Sequence, residues 1–408
     1  PLIGVSVVTE GGKTGAITDV NGHFSIMVPN ANAHLTFSYV GYITQKLPLK
    51  GKKLLKVIMK EDANLLDEVV VVGYGTQKKI NVTGAIAQVD NKELKMAPSG
   101  SLSGMLAGRL PGLISKQSSG QPGADGANLY IRGNGAGDGS PLIVIDGVIT
   151  DYFPSFSPDE VESITILKDA TAAAVYGVRA AAGVILITTK RGAVQKPTVT
   201  YNGSLTLSQN TDFPKFLNGP DYAYWYNKAR ELQGDSQVFT AEMVQKMRDG
   251  VDGWGNTNWY DKVYGTGTRT HHNISATGGS DRVRFFASIG YLNEDGNIDN
   301  YGYNRLNLRS NIDAKLTKSL TFTLGVSGRI EKRDSPRYSA DPNAWHNVPQ
   351  QIIRALPYVP DTYEYEGKTY NVSTPTASSP VAPVASINES GYSKSNYSYI
   401  QSNFSLKY

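Results

Sequence analysis

The sequence has no cysteine, which removes disulfide staples, thiolate metal sites and cysteine nucleophiles together. No apolar run approaches the roughly 20 residues of a membrane-spanning helix, so a bilayer crossing would need the strands of a closed barrel. Charge of either sign is short as well. Lys and Arg number 40 against 36 Asp and Glu, a net +4 over 408 residues, which is too little for a nucleic-acid footprint. Pro1 is not followed by a charged and then an apolar stretch, so any export signal is expected upstream or already removed.

Catalytic groupings are missing too. GNGAGDG, Gly133 to Gly139, looks like a phosphate loop but lacks the following Lys-Ser/Thr and the helix. Asp295, Asn297 and Asp299 have calcium-like spacing without the distal Glu, so a solvated loop is expected. His271 and His272 are read as the beginning of a strand, where neighbours point to opposite faces. His23 and His34 lack carboxylate company and are read as structural. No catalytic residue, metal or cofactor is expected, and the chain is not read as an enzyme.

What is plentiful is glycine and tyrosine, 42 and 24 residues, and short alternating segments. The length allows two or three domains. Residues 1–62 alternate in IGVSVV, GAITD, GHFSIMVP, AHLTFSYVGY and LLKVIMK between Gly, Asn and Pro turns, a small β-sandwich. Next, LLDEVVVVGYGTQKK sets an acidic pair and four valines before a Gly-Tyr-Gly break. It is read either as another strand of the sandwich or as one that a partner grips edge to edge.

From Asn81 the pattern becomes mixed α/β: strand VTGAIAQVD, helical NKELKM, then SLSGMLAGRLPGL, in which Met105, Leu106 and Leu110 are core residues. Asn128 to Gly192 then forms a self-contained unit. Pro141 to Ile145 runs into an Asp146-Gly147 turn. Ser157 and Glu160 make a capping box with Pro158 at the first helical position. ESITILK is a strand, Asp169 an N-cap for TAAAVY, Gly177 a left-handed helix end, and GVILITTK a buried closing strand.

After Pro197 a dyad repeat takes over. Val199, Tyr201, Gly203, Leu205 and Leu207 share one face, and the pattern recurs in Val283 to Tyr291, Arg305 to Leu316, Leu320 to Ile330 and Ser395 to Tyr408. Counting HHNISATG, about six strands are expected. Arg305, Arg309, Asp313 and Lys315 on the opposite face would be costly in a sandwich core but suit a wet lumen or a plug. Connections alternate between short, at GSD and Thr317-Lys318, and long, at 209–269, about 294–302 and 334–394. PDYAYWYNKARELQ and TAEMVQKMRD read as helices within the first long one.

IRG, PLIVIDGV, VESITILKDATAAAVYG and GVILITTKRG resemble the plug of the SusC/RagA family of TonB-dependent outer-membrane transporters, with Ala182 and Val178 as departures. PLIGVSVV, GAITDVNGHFSI and LTFSYVGY resemble that family's carboxypeptidase-regulatory-like domain, whose first strand would precede Pro1. The resemblance implies a mainly β architecture: 1–62 accessory β-sandwich, 63–76 linker with the TonB box, 77–192 α/β plug, and 197–408 the first strands of a 22-stranded transmembrane barrel. That barrel would be incomplete here, its closing strands lying outside the chain.

The resemblance further implies TonB-dependent import of a nutrient, oligosaccharide or peptide, without a cofactor. The partners would be TonB with ExbB and ExbD, a SusD-like surface lipoprotein and outer-membrane lipid; no nucleic acid is expected. The location would be the outer membrane of a Bacteroidetes-like Gram-negative bacterium, with the first domain and TonB box periplasmic. Leu66, Asp67, Glu68, Val69, Val70, Val71 and Val72 would be the TonB box. Arg132 and Arg179 would latch the plug to barrel glutamates. Trp225, Tyr226, Trp345 and Tyr358 on the outer loops are the candidates for substrate contact, while Trp254, Trp259 and Tyr260 are read as packing. Two alternatives stay open: a receptor for an iron chelate or other small cofactor, and a soluble binding or enzyme-accessory protein.

Overall fold

A computed structural model describes residues 2–9, 14–28, 30–31, 33–39, 42, 44–59, 69–72, 75–78, 86–97, 99–131, 139–150, 153, 155–168, 174–337, 348–374 and 381–408. Two compact units divide the chain near residue 86.

In the first unit, β1 (Ser6–Thr9), β2 (Gly15–Ile17), β3 (His34–Ser38) and β4 (Gln45–Pro48) form one antiparallel sheet in the order β2-β1-β3-β4. Alternation turns Val7, Leu35 and Phe37 inward, where they are fully buried. Phe24, Ile26 and Val28, and likewise Leu55, Val57 and Met59, pack on the same core at every second residue. These two segments cover the rest of that core without forming strands of their own. The valine run forms β5 (Val69–Val72), which pairs with β6 (Gly75–Lys78) as a separate two-stranded hairpin. It is not a fifth strand of the N-terminal sheet. Leu66, Asp67 and Glu68 lie outside the described residues.

The second unit opens with β7 (Ile86–Asp90) and α1 (Asn91–Lys95), whose first turn is capped by Asp90 accepting the Glu93 N–H at 2.9 Å. After α2 (Leu102–Met105) come the paired strands β8 (Leu113–Gln117) and β9 (Ala127–Ile131). β10 (Leu142–Ile145) and β11 (Val148–Thr150) meet at Asp146 and Gly147, with φ of 48° and 87°. Positive φ at both central residues is the type I′ geometry that matches strand twist. β12 (Val161–Leu167) and β13 (Val184–Thr189) complete a mixed sheet ordered β11-β10-β13-β12-β7, with β13 parallel to β10 and antiparallel to β12. Leu94, Leu102, Leu106, Ile164, Ile166 and Ile185 fill its core.

Two local expectations need correction. The capping box does not form: Ser157 Oγ accepts the Asp159 N–H at 3.3 Å, the Glu160 N–H goes to the Ser157 carbonyl instead, and the Glu160 side chain turns away to a charged partner. The short element it begins, Pro158–Glu160, is a 3₁₀ turn. At 174–180 the chain is also 3₁₀, and Gly177 has φ 68° with ψ −157°. That is a break between turns rather than a left-handed cap, because a short segment interrupted by glycine cannot propagate an α-helix. Asp169 lies outside the described residues.

Six long strands follow: β14 (Gln195–Ser208), β15 (Gly267–Gly279), β16 (Val283–Asp295), β17 (Gly302–Lys315), β18 (Thr321–Pro336) and β21 (Tyr392–Lys407), each antiparallel to the next. His271 and His272 fall inside β15, which starts at Gly267, so they do not begin a strand. Their faces do differ: His272 bonds the Tyr201 hydroxyl at 2.7 Å, whereas His271 meets Ser157. The register aligns Tyr201, Ile274, Ile289 and Leu308 in one row, all exposed. A stripe of this kind across neighbouring strands suits hydrocarbon rather than water.

Connections at one end are short, 280–282 and 316–320. Those at the other carry α3 (Gly219–Leu232), α4 (Ala241–Asp249), α5 (Trp259–Val263), α6 (Val348–Arg354), the hairpin of β19 (Thr362–Tyr365) with β20 (Lys368–Asn371), and α7 (Pro383–Asn388). Antiparallel pairing brings these long connections together. Trp259 and Val263 pack against Val348, Ile352 and Ile387 with Ile298 beside them.

Candidate functional site: the seam between plug and wall

The inward face of the six-stranded sheet is polar and dry at once. Along β17, Arg305, Asn307, Arg309, Asn311 and Asp313 are all buried, one at every second residue as the pleat dictates. Each is covered by the mixed α/β unit, and each polar group there needs a partner.

The partners are specific. Arg309 Nε donates to Glu160 Oε2 at 2.7 Å, with side chains only 5% and 1% exposed, and its guanidinium stacks 4.3 Å from the Phe156 ring. Arg191 Nη1 reaches Asp313 at 2.9 Å. Asn311 donates to Thr189 Oγ1 at 2.9 Å and to the Lys190 carbonyl at 2.7 Å. Asp159 takes Lys95 from its own unit and the Asn202 amide of β14 at 2.8 Å. Burial lowers the Lys190 ammonium below its ordinary value, reinforced by nearby Lys95. Gly192 closes the seam: a Cβ there would lie 2.2 Å from the Phe285 nitrogen, so the chain passes flush against β16 only because the residue is glycine.

Ser157, His271 and Asp159 resemble a hydrolytic triad in composition. Ser157 is buried and already caps a turn, and the His271–Asp159 separation is 3.8 Å, longer than a hydrogen bond. The trio is a packing contact. Among the described residues no group of three His, Asp or Glu side chains could hold a metal.

At the seam's centre the carboxylate stands on the inner unit and the arginine on the wall, at Glu160 and Arg309, a pair separate from the expected contacts of Arg132 and Arg179. Sequence reasoning placed Arg309 on the lumen face but read Glu160 as a cap; its position after Ser-Pro-Asp gave no sign of a long-range partner. Arg132 lies outside the described residues, and Arg179 is an exposed residue of the 3₁₀ segment. Among the aromatic candidates, Trp225 stands exposed on α3. Tyr226 packs on Tyr222 and Phe239, and Tyr358 packs with Tyr222, Phe239 and Trp254. Trp259 is buried and donates its indole N–H to the Leu356 carbonyl at 3.0 Å. Trp345 lies outside the described residues.

A mixed α/β stopper bonded to the polar face of long, outwardly apolar strands defines a plugged outer-membrane barrel of the TonB-dependent receptor class. Residues 78–184 match the TonB-dependent Receptor Plug Domain, and residues 1–71 match the CarboxypepD_reg-like domain. TonB-dependent receptor SusC of Bacteroides thetaiotaomicron is 35% identical over 324 residues, 76% of this chain and 30% of that protein. TonB-dependent receptor P3 of Formosa agariphila is 34% identical over 336 residues, 82% and 32% respectively. The chain thus spans about a third of the length of the curated relatives it matches. The solved RagAB peptide importer in its open-open state shares the fold, with a TM-score of 0.65 at 24% identity over 83% of this chain and 40% of that one. The chain belongs to the SusC-like TonB-dependent receptors.

Proposed function

We propose that this chain is the plug-bearing part of an outer-membrane importer that takes up a nutrient, oligosaccharide or peptide, with energy delivered mechanically by TonB and its ExbB and ExbD partners. The observation that carries the reading is the seam. It holds the plug by a few buried, directional bonds to the wall, strong at rest and separable one after another under load. TonB would pair with the strand segment Leu66 to Val72, of which Val69–Val72 already has extended backbone. Domain limits follow the sequence reading: accessory domain 1–62, linker 63–76, plug 77–192, barrel strands from 197. The short turns face the periplasm in this arrangement and the long connections face outward. A SusD-like lipoprotein would close over the packed loops, with exposed Trp225 among the groups available to substrate or lid. Arg132 and Arg179 remain proposed plug contacts to wall residues outside this chain.

Deleting Asp67 to Val72 in the full-length receptor is expected to abolish uptake while leaving barrel assembly, measured by heat-modifiable mobility, intact. Undiminished uptake would refute the TonB-box assignment.

A further inference from the structure

The first unit carries a segregation of charge that import does not use. Between Asp19 and Glu61 the sequence holds Lys46, Lys50, Lys52, Lys53, Lys56 and Lys60, with no arginine, aspartate or glutamate among them. The whole chain is only +4, so this stretch exceeds the chain's entire positive excess and the remainder is net acidic. Charge gathered in this way creates a local field that a uniform scatter of the same charges would not.

The fold puts most of these lysines on one projecting arm. After β4 the chain reverses at Lys50 and Gly51, whose φ values are 48° and 73°, and the Lys52 N–H closes the turn on the Leu49 carbonyl at 3.0 Å. The return arm is held beside β4 where Gln45 Nε2 donates to the Ile58 carbonyl at 3.0 Å. Along it the extended backbone sorts the side chains. Leu55, Val57 and Met59 pack on the core, while Leu54, Lys56 and Ile58 face water. Leu54 is 89% and Ile58 76% exposed. Lys50 to Leu54 are exposed without a break, so the turn stands clear of the domain.

We propose that this arm docks on anionic phospholipid of the leaflet bordering the periplasm, with Lys50, Lys52, Lys53 and Lys56 meeting phosphates and Leu54 and Ile58 entering the headgroup boundary. A projecting turn cannot enclose a small anion, which needs a concave site, but it can lie against a plane. Two bare aliphatic side chains interleaved with lysines suit a surface that is charged outside and apolar beneath, and the lysine stems span those two depths. An acidic glycan or an acidic protein would satisfy the lysines and leave Leu54 and Ile58 in water. Such docking rests on the outer-membrane reading, which puts residues 1–62 in the periplasm, and it would hold the accessory domain at the bilayer.

The test is hydrogen exchange on the full-length receptor in nanodiscs of phosphatidylcholine alone or with added phosphatidylglycerol. Residues 53–59 lie in no strand, so their amides are free to report docking. They should exchange about tenfold more slowly in the anionic discs, and high salt should abolish the difference. Lys50→Gln, Lys52→Gln, Lys53→Gln and Lys56→Gln together should remove the slowing, since each lysine near an anionic surface strengthens binding roughly fivefold. Leu54→Ser with Ile58→Ser should remove most of it as well. All six side chains are exposed, and exchange at the buried β3 amides monitors the fold of each variant; the comparison of lipids and salt needs no variant. Equal exchange in the two lipids, slowing that survives loss of both aliphatic side chains, or slowing that appears only on adding peptidoglycan or TonB would overturn the assignment. Those results leave the importer reading standing. A receptor that does not enter nanodiscs would instead sink the outer-membrane reading, and this docking with it.

Discussion

Removing one member of the Glu160–Arg309 pair should loosen the plug far more than removing both. The two side chains are 1% and 5% exposed and meet at 2.7 Å, so solvent screening is slight. Breaking a buried pair from one side strands the other charge and costs about 3–5 kcal/mol. At about 1.4 kcal/mol per factor of ten, that is a hundred- to several-thousandfold shift toward plug opening. Arg309→Met also forfeits the stacking on Phe156, so it should lie at the upper end, with Glu160→Gln lower because the amide still accepts a bond. The double variant Glu160→Leu/Arg309→Met should recover most of the loss, since an apolar replacement of both partners removes the desolvation cost as well as the attraction. Hydrogen exchange at the Val161–Leu167 amides of the full-length receptor in detergent measures the opening directly. Sensitivity of cells to a bulky antibiotic normally excluded by the outer membrane reports it in vivo. Equal and additive effects in the two single variants and the double variant would refute the coupling.

Three other outcomes follow from the same geometry. Gly192→Ala puts a Cβ 2.2 Å from backbone rather than from a flexible side chain, so it should block assembly, read as loss of the heat-modifiable band. Asp125 is raised above the ordinary carboxylate value first by burial, against the pull of Arg269 and Arg305. A raised folded-state value adds stability that is complete below the unfolded value and is lost as pH rises through the folded one; Asp125→Asn should therefore flatten the dependence of plug unfolding on pH across the acid range. Trp225→Ala should leave thermal unfolding unchanged and weaken binding of substrate or lid, whereas Tyr358→Ala should lower the unfolding temperature of the loops by vacating the nest of Tyr222, Phe239 and Trp254.

Much of the architecture is written locally. Asp146-Gly147 specifies its own I′ turn, the alternation of β17 specifies which side chains face inward, and the apolar periodicity of 219–232 and 241–249 specifies two loop helices. Each is set by residues within a few positions of one another, so backbone sterics and one-sided burial suffice. The aromatic loop residues were half legible. Trp254 and Trp259 pack as expected, and Tyr226 stacks on Tyr222 one turn away on its own helix, but Tyr358 gains neighbours from a distant segment that no local pattern announces.

Period and turn chemistry are local properties, so the residues alone specify a β-rich chain with an α/β stopper followed by strands apolar on one face and charged on the other. How the stopper is held depends instead on contacts between distant segments. Glu160 and Arg309 are 149 residues apart in sequence, and Ser157-Pro-Asp-Glu satisfies the rules for a helix start whether or not an arginine waits opposite. Burial made the difference: in a dry seam a charge-assisted bond outweighs the reciprocal cap, so Glu160 left its own turn and became the plug's hold on the wall.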